Sequence, residues 1–298
     1  MGLPSHASLE DAVRGCFGNS IRIESEMRAF GGDINDTEVL DLSDGQRVFV
    51  KMNTPGNIAF FDAEEEGLGA IAATGTIRTP KLLAKGTDRK RGVSFLMMEL
   101  IEKGMPDKET WHDMGHEYAM MHLADTGEFV PGGRFGFARD NFIGASKQVN
   151  TPSDSWVDFY RSRRLEVQIR MAGNALAPYM KDVLRLLDRL GDILTEPERP
   201  SLLHGDMWGG NHLVDKNGQA VLIDPAAYVG HAEADMAMTE MFGSMPHDFY
   251  RGYHEMIPED DGYRDRKDLY NLYHYLNHFN LFAGHYLQAS VQIIRRYA

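Results

Sequence analysis

Between His204 and Pro225 the chain reads HGDMWGGNHLVDKNGQAVLIDP, and no other stretch restricts the fold as much. HLVD and AVLID are short apolar runs flanking a Lys216-Asn217-Gly218 turn, which is a hairpin signal. A hairpin there brings Asp224 back beside Asn211. Asp206 and Asn211 are five positions apart, the D-x-x-x-x-N spacing of a phosphoryl-transfer loop. In that chemistry the Asp accepts a proton from the hydroxyl being phosphorylated and the Asn holds a metal. Asn211 and Asp224 supply two oxygen ligands on rigid backbone, which suits Mg²⁺, a hard cation usually shared between protein and phosphates. Asp, Asn and Gly also populate ordinary turns. The ordered set, with His204-Gly205 before it and an apolar strand entering Asp224, is what points to nucleotide chemistry.

The N-terminal third supplies parts that such a loop needs. Ser8 is placed to cap a short helix carrying Val13 and Phe17. IRIESEMRAF, TEVLDL and RVFVKM read as three strands, followed by two more at 80–84 and 92–100. The second of these, GVSFLMMEL, is expected to be central and buried. Gly31-Gly32, between the first two strands, lets backbone N–H groups approach a phosphate with no Cβ in the way. It is not a Walker loop, because no Gly-Lys-Ser/Thr follows. Lys51 ends an alternating strand, and residues 57–75 then read as a helix with Phe60, Ala63, Gly67 and Ala70 on one stripe. A kinase-like small lobe needs a strand Lys held by a helix Glu. Lys51 and Glu64 are the candidates, with Glu65 and Glu66 as competitors.

From Thr110 onward the periodicity is helical, with Met114, Tyr118, Met121 and His122 facing inward on the first helix. Residues 132–152 read as a long irregular loop rich in Gly, Ser and Asn. Two helices follow, the first with an expected exposed cluster at Arg161, Arg163 and Arg164. His116-Glu117 and His254-Glu255 imitate the start of a zinc motif, but Met120 and Pro258 stand where its second His belongs. Near the end, His274, His278 and His285 fall at spacings of four and seven, on one helical face, in a Tyr-rich region suited to packing or to lining a sugar pocket.

Composition excludes several function classes. A formal net charge of −13 argues against a nucleic-acid partner, which calls for a basic face. Cys16 is the single cysteine, so no intrachain disulfide or Cys-based zinc site can form. No signal core or membrane-length apolar run occurs, so no membrane association is expected and the cytoplasm is the default compartment.

HGDMWGGN followed by LIDPAAYVGHAEADMAM resembles the fructosamine kinase (ketosamine 3-kinase) family, and the resemblance runs from about Gly31 to Leu287. That family sits among protein-kinase-like small-molecule kinases, with the aminoglycoside and choline kinases. The resemblance implies a bilobal α+β fold: a five-stranded nucleotide-binding lobe over 1–100 and a mainly helical lobe over 101–298. It implies that Gly31 and Gly32 cover the ATP phosphates and that Glu99, Leu100 and Ile101 hold adenine. The match of Phe61-Asp62-Ala63-Glu64 to the family's Phe-x-Ala-Glu favours Glu64 as the partner of Lys51. Asp206 is implied as the base, Asn211 and Asp224 as Mg²⁺ ligands, and Asp235 as a residue that holds the loop. The family commonly has Arg where this chain has Ala232. The implied reaction is phosphorylation of the C3 hydroxyl of a ketosamine, free or borne on protein, giving a labile phosphate and so deglycation. An aminoglycoside or choline-like acceptor, or a silent nucleotide-binding protein, are the competing readings.

Overall fold

The computed structural model describes residues 2–29 and 35–298. Its first part is built on a six-stranded sheet. β1 (Ser5–His6) leads into helix α1 (Leu9–Phe17), whose Asp11 N–H is capped by the Ser8 hydroxyl at 3.1 Å. β2 (Ile23–Arg28), β3 (Asp36–Leu42) and β4 (Arg47–Asn53) form an antiparallel meander. Helix α2 (Ile58–Ala73) crosses to β5 (Leu82–Asp88) and β6 (Val93–Glu99). The sheet order is β1-β5-β6-β4-β3-β2, so β6 is an interior strand as expected. The strand beyond the expected five is β1, a two-residue piece paired in parallel with β5 and too short to carry a period-2 pattern.

Alternation divides the sheet into two faces. Val48, Val50 and Met52 of β4 pack with Phe95 and Met97 of β6 beneath α1. Leu96 and Met98 face the other way and pack with Phe61 of α2. Lys51 lies in register with Leu96, so its side chain emerges on the α2 face. The helix buries Phe61, Gly67, Leu68, Ala70 and Ile71. The core stripe therefore begins at Phe61, and Phe60 turns to another partner.

The remainder is mostly helical. α3 (Lys108–Leu123) buries Met114, Tyr118, Met121 and His122, as its pattern requires. Parts of residues 132–152 are drawn into the core while the rest stays exposed or half-buried. Phe135 and Phe137 are buried, Gly136 bridges to Val229, and β7 (Asn141–Ile143) pairs with β8 (Ser146–Gln148). Three-residue strands carry too few alternations to be legible as strands.

α4 (Trp156–Phe159) runs through a π-helical segment, Tyr160–Leu165, into α5 (Glu166–Ala172). Arg164 in that segment is fully buried, which corrects the expected exposed cluster. Its guanidinium lies 3.9 Å from the Tyr228 ring centroid and donates to Val149 O at 2.6 Å and Asn150 Oδ1 at 2.8 Å. Aromatic faces and acceptors offset its desolvation.

α6 (Met180–Ile193) precedes β9 (Ser201–Leu203), β10 (His212–Val214), β11 (Ala220–Leu222) and β12 (Tyr228–Gly230). Helices α7 (Ala232–Thr239), α8 (His247–Met256), α9 (Tyr263–Phe282) and α10 (Tyr286–Tyr297) complete the chain. Because α9 ends at Phe282, His285 belongs to the next turn and does not share the face of His274 and His278. Arg78 ties the two parts together: its carbonyl accepts from Leu222 N at 2.9 Å, and its guanidinium meets Asp215 at 2.6 Å and Glu99 at 3.1 Å.

Candidate active site

The loop that carries Asp206 is suspended from one buried carboxylate. Asp235, on α7, accepts His204 N–H at 2.6 Å and Gly205 N–H at 2.8 Å. It also accepts the Tyr118 hydroxyl at 2.5 Å and lies 3.3 Å from His122 Nε2. Burial works against its charge, but these donors outweigh it and hold the carboxyl below its usual range. Asp235 is not the cap of its helix, since the side chain of His231 takes that place. Gly205 has φ +80, and a Cβ there would meet Ala226 O at 2.1 Å, so only glycine lets the loop pass this close. The His204 imidazole donates from Nε2 to Ile223 O at 2.9 Å and accepts Asp206 N–H on Nδ1 at 3.3 Å. Burial lowers its pKa, which keeps the ring neutral in that tautomer.

The hairpin does what its sequence promises. β10 and β11 pair with His212 opposite Leu222, and Ile223 N–H donates to Asn211 O at 3.0 Å. Asp224 follows at φ 54, a left-handed conformation that non-glycine residues adopt at some cost. The turn delivers its carboxylate to Lys51, whose ammonium contacts Asp224 Oδ1 directly. Lys51 also meets Glu64 Oε1 at 2.5 Å, while Glu65 pairs with Lys85 at 2.7 Å and Glu66 with Arg139 at 3.1 Å. The competition among the three glutamates thus falls to Glu64.

Asn211 turns its amide toward the catalytic loop: Nδ2 donates to Asp206 O at 2.8 Å and to Asp206 Oδ2 at 3.0 Å. With the amide nitrogen so used, Oδ1 is the face left for a cation. Together with the Asp224 carboxylate it makes a donor set of hard oxygens, which fits Mg²⁺. Asp206 is partly buried, and desolvation pushes its pKa up to about 7, against the Asn211 hydrogen bond and helped by the charge of Asp235. A base poised near neutrality suits proton transfer from a hydroxyl.

Glu99 is spent on the fold, its carboxylate bonded to Arg78 and to Lys81 N–H at 2.8 Å. Leu100 and Ile101 lie between β6 and the β10–β11 hairpin and line a cavity of about 330 Å³ with Arg78 and Asp215. Gly31 and Gly32 lie outside the described residues. A feature not apparent in the sequence is a run of rings beside the catalytic loop. Trp208 (39% exposed) meets Phe242 (37% exposed) at 6.2 Å between centroids, and Phe242 meets His278 at 4.8 Å. Only the tertiary fold brings these three together, so spacing gave no signal.

The sequence profile of the fructosamine kinase family matches residues 6–298. The chain belongs to the fructosamine kinase family. It is 41% identical over 283 residues to a protein named probable ketoamine kinase from Synechocystis, covering 94% of this chain and 92% of that one. It is 38% identical over 261 residues to the chloroplastic protein-ribulosamine 3-kinase of Arabidopsis thaliana, covering 86% and 77%. Among solved structures, a Haemophilus somnus protein described as a candidate fructosamine-3-kinase superposes with a TM-score of 0.86 at 25% identity, over 97% of this chain and 96% of that one. The bilobal kinase-like architecture is thus common to this fructosamine kinase family member and its relatives.

Proposed function

We infer that this enzyme transfers the γ-phosphoryl group of ATP to a hydroxyl of a ketosamine, the C3 hydroxyl being the acceptor. The observation that carries the reading is the contact joining the two lobes, Asp224 touching Lys51, beside a loop in which Asn211 holds Asp206. The names of the relatives, ketoamine kinase and protein-ribulosamine 3-kinase, support the acceptor class.

Nucleotide is assigned to the cleft between a lobe formed by 1–100 and a lobe formed by 101–298, with Leu100 and Ile101 beside adenine; Gly31 and Gly32 keep only the phosphate-covering role that the family resemblance implies. Lys51, held by Glu64, binds the α- and β-phosphates. Asn211 and Asp224 would hold Mg²⁺, which supplies charge neutralisation on the phosphates. Asp206 orients the acceptor hydroxyl and takes its proton as the new oxygen–phosphorus bond forms and the bond to the ADP oxygen breaks. On the acceptor side, His278 donates from Nδ1 to His274 O at 2.8 Å, and burial lowers its pKa, so a neutral ring presents Nε2 to a sugar hydroxyl. Trp208 and Phe242 add apolar faces to the same wall.

No helix among the described residues is long and apolar enough to cross a membrane. The cytoplasm is the proposed compartment.

An ADP-release assay with a panel of ketosamines, aminoglycosides and choline-like alcohols tests the reading. Turnover is expected on ketosamines. Turnover confined to another class would move the acceptor assignment while keeping the kinase, and no turnover on any would favour a silent nucleotide-binding protein.

A further inference from the structure

Phe60, Glu64 and Gly67 share one face of α2, at spacings of four and three. Each meets a different neighbour. Phe60 stacks on Phe142 of β7 with ring centroids 4.1 Å apart and planes 26° from parallel. Glu64 holds Lys51 at 2.5 Å. Gly67 lies against Pro225, and a Cβ there would be 3.0 Å from Pro225 Cγ and 3.4 Å from Ala227 Cβ. The helix that carries Glu64 is therefore seated on two supports, the backbone after Asp224 and the β7–β8 hairpin.

The hairpin is anchored on its other face to that same backbone. Asn141 Nδ2 donates to Ala227 O at 2.7 Å, and Gln148 Nε2 donates to Ala226 O at 2.9 Å and to Asn141 Oδ1 at 2.8 Å. The Tyr273 hydroxyl donates to Gln148 Oε1 at 2.8 Å, and Arg164 donates to Asn150 Oδ1, whose Nδ2 reaches Asn141 Oδ1 at 2.9 Å. Asn141 and Gln148 are buried, whereas Phe142, on the opposite face of the strand, projects toward α2. One small hairpin thus grips the chain just after the metal-site Asp224 and props the helix that orients Lys51.

We propose that the β7–β8 hairpin is a strut that fixes the height of Glu64 relative to Asp224, with Phe142 as its positioning residue for nucleotide binding. This rests on the kinase reading given above. Phe142 stacks on Phe60, and its effect is relayed through Phe60 and the helix. A buried polar network ties the strut to the large lobe, so its stiffness does not depend on bound substrate. Lys51 is then kept at its phosphate-binding position before ATP arrives, which lowers the ordering cost of binding.

The test compares Phe142→Ala, Phe60→Ala, the double variant and Phe142→Tyr, using calorimetric binding of ATP with Mg²⁺, steady-state kinetics and thermal melting. Losing one stacked aromatic pair predicts an ATP Kd and KM raised about 2- to 10-fold. The KM for the sugar acceptor should stay within a factor of two. The double variant should be little worse than either single variant, the sign of a shared pathway, and Phe142→Tyr should restore affinity. An unchanged ATP Kd in both single variants, whether or not the melting temperature falls, overturns the strut. So does an equal rise in both Michaelis constants. Should Phe142→Ala not fold, Phe60→Ala, altered at a partly exposed site on α2, reads the same contact. Wild-type protein that fails to bind ATP at all would instead overturn the kinase reading on which the strut depends.

Discussion

The amide of Asn211 donates to the carboxylate of Asp206 at 3.0 Å, across the four residues that separate them. That single bond opposes a larger effect, the desolvation that pushes Asp206 up to about 7. The carboxyl is thereby half-ionised near neutrality, and its protonation state becomes measurable through stability and, with Asp206 as the proposed base, through rate. Because kcat/KM reports the free enzyme, it should rise with pH through about 7 on an acid limb of unit slope. Asp206→Asn should lower turnover about 10²- to 10⁴-fold, the usual worth of a positioned base. An acid limb that persists unchanged in the residual activity of that variant would show that another group produces it.

The same shift carries a stability consequence of defined sign. A carboxyl that holds its proton more tightly when folded adds stability at low pH, and that contribution is lost as pH rises toward its folded pKa. Relative to Asp206→Asn, the wild type should therefore lose melting temperature between about pH 4 and pH 7 and stay level above that. A difference that does not vary across this window would contradict the burial argument.

Asp235 holds two backbone N–H groups of the loop, a tyrosine hydroxyl and a histidine inside the core. Asp235→Ala leaves those donors buried without an acceptor and should cost about 1–3 kcal/mol for each unsatisfied group. Turnover should fall as well, because Gly205 and Asp206 lose their suspension. Chemical denaturation checks the first expectation, and rates on the folded fraction check the second.

Arg164 should behave as a structural cation. Arg164→Leu leaves Val149 O and Asn150 Oδ1 without their donor, at about 1–3 kcal/mol for each unsatisfied acceptor. Arg164→Lys should recover little, since an ammonium cannot stack flat on Tyr228 while reaching both oxygens. Denaturation midpoints of the two variants decide this.

On the acceptor side, His278→Ala and Trp208→Ala should raise the KM for ketosamine several-fold and leave the KM for ATP unchanged. A change confined to the ATP KM would remove the ring wall from the acceptor site.

The arrangement of the candidate site was legible where it depends on local spacing. Asp206 and Asn211 belong to one loop, and the Lys-Asn-Gly turn that returns Asp224 to Asn211 is only a few residues long. Lys51 and Glu64 needed an alternating strand and one helix face, both of which survive in the fold. Contacts between distant segments left no comparable trace. The charge on Arg164 read as exposure, since a buried guanidinium needs Tyr228 and Asn150 from elsewhere in the chain. The β7–β8 hairpin read as loop because its strands have three residues each and its stabilising bonds run to Ala226 and Ala227. Helix α2 lies where its pattern places it, and Gly67 and Ala70 of its stripe are buried, but Phe61 rather than Phe60 meets the sheet, because both are apolar and only packing tells which turns inward.

In the proposed reaction Asp206 directs phosphate from ATP to the C3 hydroxyl of a ketosamine. The most direct measurement incubates the protein with ATP, Mg²⁺ and a ribulose-lysine or fructose-lysine adduct, beside an Asp206→Asn control, and locates the phosphate by NMR. A single phosphate on C3 is expected, formed by the wild type and nearly absent with the variant. Phosphate on a choline or aminoglycoside hydroxyl with both adducts untouched, or equal C3 phosphorylation by the Asp206→Asn variant, would contradict it.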